Sequence, residues 1–246
     1  MTREYSSEDY QKLQEELKAE GNEKYRKFNE SLIPGASGTS FGVRLPVLRK
    51  AASKILKEDW RGFLGYSLED PVHEMRLMTG FVIAGAPCPF DERLSLLREF
   101  LPLISNWAVC DSVCCSLKSI KKNRKSMLEF LEPYYGSEKE FEVRFAAVVL
   151  MDYYINAEYI DFVLEQYARI RRREYYIEMA VAWGLSVCFV YFRDKTLRLL
   201  ETDRISNDIF QMTVGKIRDS RRIRPEDKEL MKRMWEARKE DGIRIS

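Results

Sequence analysis

The stretch Asn106-Trp107-Ala108-Val109-Cys110-Asp111-Ser112 holds residue types that could do chemistry. In a helix, Trp107 and Asp111 stand four residues apart and project from one face, setting an aromatic plane beside a carboxylate. Such a pair can stabilise a cation, because the carboxylate opposes its charge and an indole face adds about 0.5–2 kcal/mol of cation–π attraction. From residue types alone, core packing is the ordinary reading of Trp107, and a helix cap or salt-bridge partner that of Asp111.

The elements that must position this pair follow from composition and punctuation. A chain of 246 residues with 45% hydrophobic content has ample apolar surface for a core. Its 12 Gly and 8 Pro fall mostly before residue 90. The remainder reads as long segments rich in Leu, Glu, Lys, Arg, Met and Ala, which favour helix, and an all-α fold is predicted. No run of about 18 apolar residues occurs, and Met1-Thr2-Arg3-Glu4 leads into polar sequence. A soluble, cytoplasmic chain acting as a monomer away from membranes is therefore expected. The five cysteines, Cys88, Cys110, Cys114, Cys115 and Cys188, read as reduced thiols. Cys110 and Cys114 share a helical face, but the sole histidine, His73, is distant and no second cysteine pair completes a tetrahedral set. Neither metal nor any other cofactor is expected.

In chain order, residues 7–30 read as one charged amphipathic helix opened by the cap-like Ser6-Ser7-Glu8-Asp9, with Tyr10, Leu13, Leu17, Tyr25 and Phe28 near one stripe. Ile33-Pro34-Gly35-Ala36-Ser37-Gly38-Thr39-Ser40 reads as a loop. Pro46 suits the first turn of a helix through Leu48, Ala51, Ala52 and Ile55. Short helices follow over Trp60 to Tyr66 and from about Pro71 to Ala84. The heavier helices begin near Val72, Asn106, Phe141 and Tyr175, an interval of 34 or 35 residues that falls in the range of two-helix repeats. A curved superhelical solenoid of HEAT/armadillo-like antiparallel helix pairs, one domain over residues 1–246, is predicted.

The formal net charge of +2 is unevenly spread. Lys118, Lys121, Lys122, Arg124 and Lys125 crowd one region, Arg169, Arg171, Arg172 and Arg173 a second, and Lys216, Arg218, Arg221, Arg222 and Arg224 a third. Each reads singly as a solvated loop; spaced along a helical array, the three could also track a phosphate backbone. Arg144 lies among Val143, Phe145, Ala146 and Ala147, where an unpaired guanidinium is costly to bury. It is expected to pair with a carboxylate or to face phosphate, with phosphate preferred.

Tyr25 to Phe28, Phe41-Gly42-Val43-Arg44-Leu45-Pro46-Val47-Leu48-Arg49, Asn106-Trp107 with Asp111-Ser112, Glu142-Val143-Arg144-Phe145-Ala146-Ala147 and Ala180-Val181-Ala182-Trp183 follow one another in this order. The ordered set resembles the AlkD-type DNA alkylation repair family over roughly residues 20–225. That resemblance implies a HEAT-like DNA glycosylase excising cationic N3- and N7-alkylated purines from double-stranded DNA. It puts Trp107, Asp111 and Trp183 at the catalytic cleft, Arg144 at a DNA-contacting arginine and Phe28 at an aromatic position. Asn106 departs from the family, where another Trp can occur, and the cysteines at 110, 114 and 115 make this helix unusual.

The chemistry also stands by itself. A cationic purine leaves as a neutral base, so no general acid is needed. What the reaction requires is stabilisation of oxocarbenium character at C1′ and a placed water, both of which Asp111 can supply. The resemblance further implies action on a lesion still stacked in the duplex, without a base-flipping pocket. The alternative is a non-catalytic helical-repeat module that binds nucleic acid or protein.

Overall fold

Gly21 and Asn22 split the segment expected to form one helix over residues 7–30. The first helix, α1 (Ser7–Ala19), opens with a capping box: Ser6 Oγ accepts from the Asp9 amide at 3.2 Å, and the Asp9 carboxylate accepts from the Ser6 amide at 2.9 Å. Asn22 then caps α2 (Glu23–Leu32), its side-chain oxygen accepting from the Tyr25 amide at 2.8 Å. Tyr10 and Leu17 of the expected stripe are buried, whereas no residue of α2 is. Helix α2 must therefore be placed by its ends rather than by a packed face.

The computed structural model describes residues 3–33 and 40–245, so most of the expected loop, Pro34 to Thr39, lies outside the described residues. Every regular element among the described residues is a helix, and the chain is all-α. It divides into two units, Met1–Glu132 and Pro133–Ser246.

The first unit continues with α3 (Leu45–Ile55), which has Pro46 in its first turn, then α4 (Trp60–Ser67), α5 (His73–Gly85), α6 (Phe90–Phe100), α7 (Trp107–Cys114) and α8 (Arg124–Leu131). Helix α5 is apolar nearly all the way round and almost wholly buried, with α3 and α7 stacked against it and α4 and α6 packed beside it. Fully buried Phe63 and Phe100 belong to this core, each contributing roughly 1.5–3 kcal/mol by leaving water.

The second unit comprises α9 (Glu140–Tyr153), α10 (Ile160–Arg169), α11 (Tyr175–Tyr191), α12 (Arg193–Leu200), α13 (Asn207–Asp219) and α14 (Pro225–Ile245). Helix α11 is stacked between α9 and α13, α10 and α12 pack on α11, and α14 packs on α13. In both units the apolar helices stack on one another while their sequence neighbours flank them, the arrangement a two-helix repeat requires. Helices α5, α7, α9 and α11 begin within a residue of the expected Val72, Asn106, Phe141 and Tyr175. No helix among the described residues is long and apolar enough to cross a membrane.

Helix α7 can sit against α5 because residue 80 is glycine. A Cβ there would run into Val113 and come within 3.2 Å of the Phe100 ring. Val113 is fully buried and, being β-branched, is stiff about χ1 in a helix, so Gly80→Ala is expected to cost about 2 kcal/mol through overpacking. Chemical denaturation checks this, and Gly80→Ala with Val113→Ala should recover part of the loss relative to the sum of the single variants. Strict additivity would show that the two helices do not meet at this pair.

Candidate active site

Helix α7 is eight residues long with two different faces. Its inner face, Val109, Cys110, Val113 and Cys114, is buried against α5. Its outer face carries Trp107 and Asp111, both half-buried, and runs on to exposed Cys115. The buried Asn106 starts the helix, its side-chain oxygen accepting from the Val109 amide at 3.0 Å. Asn106 is thus the cap that fixes where the Trp107–Asp111 face begins.

The Trp107 indole is held by its edge. Its Nε1–H donates to the Leu32 carbonyl at 3.1 Å, in the last turn of α2. Phe28, one turn earlier on α2, is 61% exposed, and Leu32 itself is 50% exposed, so this element presents apolar surface to solvent.

Sequence reasoning missed what places α2. Glu74, in the first turn of α5 and only 1% exposed, accepts from the amides of Phe41 at 2.9 Å, Gly42 at 2.8 Å and Val43 at 3.1 Å, and from Ser40 Oγ at 3.0 Å. The segment so clamped returns a bond: the Gly42 carbonyl accepts from the Asn22 amide at 3.1 Å, at the N-cap of α2. Gly42 has φ +78°, a left-handed conformation that suits glycine alone here, because a Cβ would also strike Arg26. A path of hydrogen bonds therefore runs from Glu74 through residues 41–43 to α2 and on to the Trp107 indole. The available signal was a carboxylate in the first turn of a helix that is mostly apolar. His73, beside it, is buried, and loss of solvent pushes its imidazole below the usual range while Glu74 pulls the other way. That placement is structural.

In the second unit Arg144 is 4% exposed; its Nη1 donates to the Tyr176 carbonyl at 2.7 Å and its guanidinium lies 5.9 Å from the Tyr176 ring. The guanidinium thus reaches into the first turn of α11. Further along that helix Ala180, Val181 and Ala182 are buried, while Trp183 is 37% exposed with Lys216 Nζ 5.9 Å from its ring centre. Trp183 is not core packing. An exposed indole carrying a cation suits contact with an anionic, aromatic partner.

The basic clusters differ in what meets their charge. Lys118, Lys121, Lys122 and Lys125 are exposed and form no ion pair among the described residues. Arg124 donates to the Lys121 carbonyl at 3.2 Å, which joins it to the same turn. In the second cluster Arg171 donates to the Arg204 carbonyl at 3.2 Å. Arg172 is bound by Glu174, with a further contact to the Glu138 carboxylate at 3.8 Å and a bond to the Ser137 carbonyl at 3.0 Å. Arg173 approaches Glu178 at 3.6 Å and Asp208 at 3.9 Å. This cluster is a brace across the α10–α11 connection with locally met charge. In the third, Arg218 and Arg224 face Asp219 and Asp227 at 3.5 and 3.1 Å, and Arg222 donates to the Tyr191 hydroxyl at 2.9 Å. The four lysines of the first cluster, just beyond α7, thus carry positive charge that no acid meets among the described residues.

Among the described residues no group of three His, Cys, Asp or Glu side chains is placed to hold a metal ion. Neither the curated proteins nor the solved structures contain a match to the chain. The sequence profile described as DNA alkylation repair enzyme does match, over residues 9–206, which takes in α7, α9 and α11 whole. With four-fifths of its length inside that profile, the chain belongs to the DNA alkylation repair enzyme family.

Proposed function

We propose that this DNA alkylation repair enzyme is a glycosylase that hydrolyses the N-glycosidic bond of cationic N3- and N7-alkylated purines in duplex DNA. The observation that carries the reading is the outer face of α7, where a half-buried carboxylate and an indole pinned by its edge share one side of a short, capped helix.

In this reading Asp111 opposes the positive charge that grows at C1′ and the ring oxygen of the deoxyribose as the bond to the base lengthens, and it orients the water that captures C1′. The purine's own positive charge is neutralised as it departs with the bonding electrons, so no side chain has to donate a proton to it. Trp107 lends its face to the developing cation and keeps bulk water from the carboxylate. Trp183 gives the second unit's aromatic contact to the DNA, with Arg144 behind the start of the same helix. Lys118, Lys121, Lys122, Arg124 and Lys125 supply the attraction for the phosphate backbone, which should make binding fall steeply with salt. Arg171, Arg172 and Arg173 contribute less, since acids already meet two of them.

Asp111 and Trp107 are half-buried on the outer face of α7 and keep part of their surface in solvent, which supports action on a lesion left in the duplex rather than one drawn into an enclosed pocket. Selectivity then rests on the lability of the cationic bond, and bulky substituents should be accepted. The test is release of free base from duplexes carrying methyl and progressively larger N7 or N3 groups. Comparable release across the series is expected; release confined to methyl lesions would contradict that reading. Tight duplex binding with no release at all would instead favour a binding module.

A further inference from the structure

A groove of about 480 Å³ lies in the first unit between α3, α5 and the end of α7. Arg49 and Lys118 stand on its walls, Phe81, Ala84 and Leu56 supply apolar surface, and no carboxylate lines it. Arg49 is unusually well fixed for an exposed arginine. Its guanidinium lies 4.2 Å from the Phe81 ring centre, Nη1 donates to Ser116 Oγ at 2.9 Å, and Nη2 lies 3.7 Å from Cys115 Sγ. It forms no ion pair among the described residues. A guanidinium oriented by an aromatic face and a hydroxyl, with its charge unmet and its outer N–H groups open, is prepared for an anion of forked geometry. Lys118 adds a second unmet cation on the same groove.

The location specifies which anion. Cys115 continues α7 as its C-cap and lies four residues after Asp111, so it falls on the same outer face, roughly 6 Å further along the helix axis. Phosphates along one DNA strand recur about every 3.4 Å of helix axis. We propose that Arg49 and Lys118 form a phosphodiester subsite that holds the DNA backbone one or two nucleotides from the sugar facing Asp111. The subsite fixes the register of the strand against the carboxylate, while the apolar wall between the two cations accommodates a deoxyribose. Arg49 is a positioning residue in this scheme: it touches backbone, not the reacting atoms. The inference rests on the assignment of the α7 face to DNA.

Two measurements on the full chain test it. The first is binding to an undamaged duplex over a range of salt concentrations. Arg49→Met, which keeps the stem against Phe81 but removes the charge, should lower the slope of log affinity against log salt by about 1. Arg49→Lys should keep the wild-type slope, and Lys118→Gln should behave like Arg49→Met. A wild-type slope in Arg49→Met overturns the subsite, and equal loss in Arg49→Lys and Arg49→Met shows that Arg49 only braces α3 to Ser116. The second uses a duplex with one N7-methylguanine and a single neutral methylphosphonate moved along the lesion strand, bound by chains with Asp111→Asn so that the lesion persists. One position within two nucleotides of the lesion should weaken binding of the Arg49 chain several-fold yet leave the Arg49→Met chain unaffected; equal effects at every position contradict the proposal. Failure here is distinguishable from failure of the glycosylase reading: a changed salt slope without base release keeps the subsite and removes the enzyme, and base release with an unchanged slope does the reverse.

Discussion

Asp111→Asn should abolish nearly all base release while leaving the chain folded and bound to duplex DNA. The substitution keeps shape and polarity but removes the negative charge, which is the property proposed to act on the transition state. Loss of one preorganised hydrogen-bond donor at an oxyanion site costs about 10²–10³ in rate, or roughly 2.7–4 kcal/mol. A full charge close to a developing oxocarbenium in a partly dehydrated setting should cost at least as much. The side chain is half-buried on the outer face of α7, so unfolding free energy should move by about 1 kcal/mol or less. Single-turnover release of 7-methylguanine, read beside a denaturation curve and a binding isotherm, separates these effects. A variant that releases base at near the wild-type rate removes Asp111 from the mechanism.

Glu74→Ala should act in the opposite sense, on the scaffold first. Its carboxylate is the acceptor for the amides of Phe41, Gly42 and Val43, and Gly42 and Val43 are themselves buried. Removing it leaves those donors without a partner, at about 1–3 kcal/mol for each buried group. A total of about 3 kcal/mol or more is a large fraction of the roughly 5–15 kcal/mol that keeps such chains folded. Glu74→Gln keeps one oxygen acceptor but turns an NH₂ toward N–H donors, so an intermediate loss is expected. The local readout is hydrogen exchange at the amides of residues 41–43, which should accelerate in both variants. Because Asn22 binds the Gly42 carbonyl and Leu32 binds the Trp107 indole, base release should fall as well. Unchanged exchange at these amides would show that Glu74 is not their anchor.

The positions of the stacked helices were legible because their signal is local. Helices α5, α7, α9 and α11 are dense in apolar residues, and the start of α7 directly follows the break at Ser105-Asn106. The division of residues 7–30 was not, because Gly21-Asn22 sits within a run of strong helix formers, and the Asn22 backbone amide is held by the Gly42 carbonyl, 20 residues further along the chain. Glu74 was missed for a related reason: its partners are backbone amides, which carry no residue-type signature. For Trp107 and Asp111, helical spacing alone indicates a shared face; which face is buried is decided by Gly80, which brings Val113 inward. Trp183 illustrates the limit most clearly. Helix α11 is apolar all round, so its pattern contains no information about which side meets solvent, and the exposure of that indole emerges only from what packs around it. The Arg172 brace was within reach, since Glu174 stands two residues away and Glu138 opens the preceding repeat.

The most direct measurement compares two lesions in one duplex sequence: single-turnover release of base from a site carrying cationic N7-methylguanine and from the same site carrying neutral O6-methylguanine. A carboxylate working without a general acid predicts release of the first and none of the second. An intact cationic lesion in a duplex that the chain nonetheless binds, or equal release of both bases, would contradict it.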